Sequence, residues 1–217
     1  MSAKGIPANT VTYSAAISAC EKCGQWQRAL QLLASMHHMG VTVSTVTYNS
    51  AMSACKHGGQ WQWALHLLQD MEGKEIPADT ITYNIAIRVC KLGRQWHRAL
   101  QLMEDMSAKG IPANTVTYSA AISACEKCGQ WQRALQLLAS MHHMGVTVST
   151  VTYNSAMSAC KHGGQWQWAL HLLQDMEGKE IPADTITYNI AIRVCKLGRQ
   201  WHRALQLMED MSAKGIP

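Results

Sequence analysis

The chain has 217 residues, 47% of them apolar, and a formal charge of +5. No apolar run approaches the roughly 20 residues needed to cross a bilayer. The opening MSAKGIPAN has neither the apolar core of a signal peptide nor the Arg-rich pattern of a transit peptide, and so mild a basic charge permits a polyanionic partner without demanding one.

Repeats dominate the chain. Residues 1–112 recur unchanged at 106–217, an identical 105-residue duplication. Within that unit, Thr-Val-Thr-Tyr at 10–13 returns at 45–48 and as Thr-Ile-Thr-Tyr at 80–83, a step of 35 residues. The frames are therefore 10–44, 45–79, 80–114, 115–149, 150–184 and 185–217, with 1–9 as the tail of a preceding frame and the last frame two residues short. Natural duplicates drift, so the identity leaves three origins open: a recent duplication, an engineered array, or a stretch of a longer repetitive protein.

Each frame reads as two helices. In the first frame Tyr13, Ile17 and Cys20, then Trp26, Leu30 and Leu33, are spaced by three or four, as one helical face requires. Lys22-Cys23-Gly24 supplies the turn, as His57-Gly58-Gly59 does in the second frame. Ser44, Asp79 and Asn114, each before a Thr, suit helix N-caps. Positions 2–13 and 17–28 of each frame are the predicted helices. One such pair cannot bury its apolar face alone, so neighbouring pairs must stack. The expected fold is all-α, a right-handed superhelical solenoid of tandem helix–turn–helix repeats forming a single domain, its concave face lined by first helices.

The openings Val11-Thr12-Tyr13-Ser14, Val46-Thr47-Tyr48-Asn49 and Ile81-Thr82-Tyr83-Asn84, the Ala29-Leu30 pair and Met36 at position 27 resemble the 35-residue motif of the pentatricopeptide repeat family. The resemblance covers nearly every residue. The tetratricopeptide repeat, with its 34-residue period, fits less well. Trp at position 17, Leu or Met at position 24 and an early Pro depart from the family pattern at packing and turn positions.

The resemblance implies sequence-specific binding of single-stranded RNA, one base per repeat. Position 2 side chains of adjacent repeats would sandwich a base: Val11, Val46, Ile81, Val116, Val151 and Ile186. The alternative is that these residues are inter-repeat core. Positions 5 and 35 would touch the base edge. Position 5 holds Ser14, Asn49, Asn84, Ser119, Asn154 and Asn189; position 35 holds Ser44, Asp79, Asn114, Ser149 and Asp184. A carboxylate only accepts, so Asp79 and Asp184 suit the N3–H of uracil, while the amide of Asn114 can donate to N3 of cytosine. A small Ser leaves room for a purine. By the family's code the frames read 5′-AUYAUY-3′, Y being a pyrimidine. The alternative reading of positions 5 and 35 is simple helix capping. Organellar RNA processing in mitochondria or chloroplasts is the family's usual setting.

Charge favours the same side. In one 105-residue unit the first helices carry Lys22, Lys56, Arg88 and Lys91 against only Glu21, whereas the rest is slightly acidic. Lys22, Lys56, Lys91 and their copies Lys127, Lys161 and Lys196 are candidate phosphate contacts.

Other signals are weaker. Cys20-x-x-Cys23 and Cys125-x-x-Cys128 resemble half a zinc site but lack the other half, so packed thiols and no metal are expected. Cys23, in the turn, reads as an exposed thiol. Trp26, Trp61 and Trp96 fall on second helices and read as packing residues, with Trp63 more exposed. No His-x-Glu with Pro-Cys-x-x-Cys, phosphate loop or nucleophile–base pair occurs, so neither enzyme activity nor a cofactor is expected. The competing reading is a scaffold that binds protein, or that associates with itself head to tail through uncapped ends.

Overall fold

The computed structural model of the chain describes residues 8–216, among which there are α-helices and no strand. Residues 1–7, holding most of the expected tail of a preceding frame, and Pro217 lie outside that range. The helices are α1 Thr10–Lys22, α2 Trp26–His38, α3 Thr45–His57, α4 Trp61–Gly73, α5 Thr80–Leu92 and α6 Trp96–Ala108, then α7 Thr115–Lys127, α8 Trp131–His143, α9 Thr150–His162, α10 Trp166–Gly178, α11 Thr185–Leu197 and α12 Trp201–Ala213. They occupy positions 1–13 and 17–29 of every frame, one residue more per helix than the sequence predicts. The extra residue at the start is a Thr, because the residue before it is the cap.

Two compact units divide the chain, residues 1–112 and 113–217. In the first, α1 packs on α3 and α3 on α5, so first helices lie side by side. Each second helix packs against its own partner, and α2 and α4 also pack against the first helix that follows, α2 on α3 and α4 on α5. The second unit repeats this plan: α7 on α9, α9 on α11, α8 on α9 and α10 on α11.

Burial follows the number of neighbours. Only Ile17 is buried on α1, which packs on α3 alone among first helices. Lying between α1 and α5, α3 buries Tyr48, Ala51, Met52, Ala54 and Cys55 among others. Each large aliphatic taken from water contributes roughly 1.5–3 kcal/mol, so a frame's stability comes mostly from the frames beside it. Burial pushes the Cys55 thiol up to about 11 and that of Cys90 up to about 12, leaving packed, unreactive thiols. Cys23 is exposed.

Two contacts fix the spacing of frames. Trp26 lies over Gly58 of the next frame, where an added Cβ would clash with its Cδ1. Trp61 over Gly93, Trp131 over Gly163 and Trp166 over Gly198 repeat the arrangement, so these tryptophans are inter-frame packing residues. Trp63 stays 46% exposed. The second contact centres on the position 4 tyrosine. Tyr48, its ring buried, donates to Asp70 Oδ2 at 2.6 Å and meets His37 Nε2 of the preceding frame at 3.2 Å. Lys74 Nζ donates to the same carboxylate at 2.8 Å.

Candidate nucleic-acid interface

The first turn of each first helix begins with a side-chain cap. Ser44 Oγ accepts from Thr47 N at 3.3 Å, Asp79 Oδ1 from Thr82 N at 2.8 Å and Asn114 Oδ1 from Thr117 N at 3.1 Å. Ser149 and Asp184 do the same for Thr152 and Thr187. Asn9 caps α1 in the same way and was legible as another position 35 residue, since it too precedes a Thr. The position 35 side chains therefore are helix caps. Capping leaves Ser44, Asp79, Ser149 and Asp184 at the edge of a junction between frames, where a position 5 side chain approaches them directly or through a threonine.

That meeting takes two forms. At the Asp-capped junction the amide of Asn49 donates directly to Asp79 Oδ1 at 3.3 Å, and Asn154 donates to Asp184 Oδ1 at 3.2 Å. Thr82 closes a capping box: its hydroxyl accepts from Asp79 N at 3.2 Å and donates to Asp79 Oδ1 at 2.8 Å. At the Ser-capped junction the two readout candidates do not bond each other. Thr47 Oγ1 stands between them, 2.8 Å from Ser14 Oγ and 3.0 Å from Ser44 Oγ. Ser119, Thr152 and Ser149 repeat the chain at 2.7 and 2.9 Å. These threonines were missed in sequence, because their partners lie 33 residues away and only helix register brings them together.

Burial sorts the candidates further. Position 2 side chains are 60–74% exposed at Val11, Val46, Ile81, Val151 and Ile186, and 39% exposed at Val116. The core alternative for these aliphatics is thus excluded. Val11 and Ser14, Val46 and Asn49, and Ile81 and Asn84 are three residues apart, so each exposed aliphatic shares a helix face with its position 5 neighbour. Asn49 and Asn154 are buried, and the amide oxygen of each is buried without a hydrogen-bond partner. Such an orphan costs roughly 1–3 kcal/mol. Asn84 is also buried and Asn189 exposed. Desolvation pushes the Asp79 carboxyl up, but donation from the Thr82 backbone and hydroxyl and from Asn49 outweighs it and holds the group below its ordinary value. Asp184 behaves alike, with Thr187 and Asn154 as donors.

Among the described residues, the ion pairs join acids of second helices to loop lysines, Lys74 to Asp70 and Lys109 to Glu72 in the first unit, Lys179 to Asp175 and Lys214 to Glu177 in the second. None uses a first-helix lysine. Lys22, Lys127 and Lys196 are exposed, while Lys56, Lys91 and Lys161 are half-buried. Desolvation and the nearby Arg88 lower the Lys56 ammonium.

Residues 43–212 match the family model described as the pentacotripeptide-repeat region of PRORP, and residues 8–57 match that of the PPR repeat family. The chain belongs to the pentatricopeptide repeat family. Its tandem helical pairs superpose on maize pentatricopeptide repeat protein PPR10 with a TM-score of 0.74 and 25% identity over 98% of this chain. PPR10 in complex with an 18-nt psaJ RNA element gives 0.65 and 24% identity over 99% of this chain. The chain spans about a third of the length of PPR10, 30% and 35% in the two structures. The PPR domain of Arabidopsis thaliana protein-only RNase P 1, solved with tRNA, gives 0.74 at 16% identity, covering 86% of this chain and 98% of that one. No curated protein matches the sequence.

Proposed function

We propose that this pentatricopeptide repeat chain binds single-stranded RNA along its first helices, one base per frame, and carries out no catalysis of its own. One observation carries the reading: at every frame an aliphatic side chain that a core would have buried is held exposed, three residues from a polar side chain of the frame junction. A β-branched side chain is stiff enough to pack flat on a base, and burying both faces of that contact recovers the exposure. Relatives support the polymer: PPR10 was solved with an RNA element and the RNase P repeat domain with tRNA.

The junction supplies the edge contacts. Thr82 N, Thr82 Oγ1 and Asn49 Nδ2 all donate to Asp79 Oδ1, which leaves Oδ2 to accept the N3–H of uracil. Turning the Asn49 amide toward the base would give its orphaned oxygen a partner. The serine frames have room for a purine, adenine by the family's code, so the expected word is 5′-AUYAUY-3′. First-helix lysines would follow the backbone.

Fluorescence anisotropy with a labelled AUCAUC oligomer tests the reading against one whose purines and pyrimidines are exchanged. The expected result is preference for AUCAUC, with a log–log salt slope no steeper than about −4 if all six first-helix lysines engage phosphates. Equal or absent binding of the two at moderate salt, together with polymerisation, would replace this reading with the scaffold one.

A further inference from the structure

The serine junctions hold a device absent from the aspartate ones. Thr47 is fully buried, and its hydroxyl touches only the hydroxyls of Ser14 and Ser44; Thr152 likewise touches only Ser119 and Ser149. A hydroxyl carries one proton. When Thr47 donates to Ser44, Ser14 must donate to Thr47, so Ser14 offers only lone pairs outward and the proton of Ser44 is free. When Thr47 donates to Ser14, Ser44 donates to Thr47, and the free proton belongs to Ser14. Both arrangements keep both hydrogen bonds, and Thr47 N donates to Ser44 Oγ in either. The pair thus always presents one donor and one acceptor, in an order that reverses without loss of a bond.

We propose that Thr47 and Thr152 are positioning residues that couple their serine pairs into reversible one-donor, one-acceptor readers, so that these two frames accept adenine and guanine alike. The Watson–Crick edge of adenine offers a donor at N6 and an acceptor at N1, and that of guanine an acceptor at O6 and a donor at N1. One polarity of the relay matches each. At the aspartate junction Thr82 spends its proton on Asp79 Oδ1 within the capping box and has no bond to Asn49, so that reader has a fixed polarity. The inference rests on the base-per-frame reading above and widens it at the serine frames from adenine to either purine.

The test compares the full chain with T47V/T152V, which removes the hydroxyls at nearly constant shape, and with T47S/T152S, which keeps them. Each is titrated with AUCAUC, GUCGUC and an oligomer abasic at positions 1 and 4. The parent chain is expected to bind the two purine oligomers within about threefold. T47V/T152V should lose about tenfold on both and under twofold on the abasic oligomer, and T47S/T152S should recover most of that loss. A parent preference for one purine above tenfold overturns the proposal. So does a T47V/T152V loss equal on the abasic oligomer, which marks a structural role, or no loss at all. A fourth oligomer with uracil replaced at positions 2 and 5 separates the two levels. Indifference of the parent chain to that change sinks the base-reading model itself, whereas discrimination there beside an inert T47V/T152V sinks the threonine relay alone.

Discussion

The serine-capped and aspartate-capped junctions occupy the same place in the repeat and cap the same kind of helix, yet their hydrogen bonds run along different paths. At Ser14, Thr47 and Ser44 a buried hydroxyl links two short side chains. At Asn49, Thr82 and Asp79 the longer amide reaches the cap directly and the threonine turns back into the capping box. Side-chain length decides which path forms, since a serine at position 5 stops short of the cap and needs the threonine. Function can therefore vary at these junctions while the surrounding packing stays constant.

The largest expected difference between the junctions is in stability. Removing the carboxylate in D79A/D184A strips Thr82 N of its cap and the Asn49 side chain of its hydrogen bond. The cost should be about 2 kcal/mol per site, part lost cap and part buried amide. S44A/S149A removes a cap but leaves Thr47 bonded to Ser14, so about 1 kcal/mol per site is expected. D79N/D184N keeps an oxygen for Thr82 N and should stay close to the parent. Urea midpoints measure all three, and an equal loss at both junctions would erase the distinction drawn between them.

Base preference should respond next. N49T/N154T shortens the position 5 side chain at the aspartate junctions while Asp79 and Asp184 still only accept. That makes room for a purine whose edge donates, so preference there should move from uracil toward guanine by about tenfold. An unchanged preference in competition binding would mean that position 5 does not face the base.

Much of this architecture was legible in sequence, because the 35-residue step and the three-and-four spacing of Tyr13, Ile17, Cys20, Trp26, Leu30 and Leu33 report helix pairs directly. Helix ends came within one residue, and the caps were readable as Ser, Asp or Asn before Thr. Exposure was not. Val11 and Ile17 are both apolar residues of one helix, yet Val11 is 74% exposed and Ile17 is fully buried. Composition cannot separate them, since the difference lies in which neighbour each faces. The Thr47 bridge and the Trp26–Gly58 contact were hidden for the same reason: both join successive frames, and only three-dimensional register sets their partners. Left-handed backbone at Glu75 and Arg94, where other frames carry Gly40 and Gly24, also escaped a reading that takes glycine as the turn signal.

Acid should separate the junctions by a smaller margin. The Asp79 and Asp184 carboxyls lie below their ordinary value in the folded chain. Their contribution is fully present above the unfolded value near pH 4 and is lost as pH falls through the folded one. Between pH 5 and pH 3 the urea midpoint of the parent should fall more steeply than that of D79N/D184N. S44A/S149A should track the parent, since serine does not titrate there. Parallel curves for the parent and D79N/D184N would show that these caps bear no charge-dependent load.

The smallest expected stability change comes from converting one junction into the other. In S44D/S149D each helix gains a carboxylate at its N-terminus and Thr47 and Thr152 gain a partner that can close the capping box, but Ser14 and Ser119 lose the hydroxyl chain. Dipole and cap favour the variant, while the lost bridge opposes it, so a net gain of no more than about 0.5 kcal/mol per site is expected. For a chain of this size that is roughly two degrees in melting temperature for the double variant. The consequence for RNA is sharper than for stability. A carboxylate cannot offer a proton to N1 of adenine but accepts one from N1 of guanine, so a reader that takes either purine should become selective for guanine. A variant that still binds AUCAUC and GUCGUC equally would show that the cap side chain does not face the base edge at the serine frames.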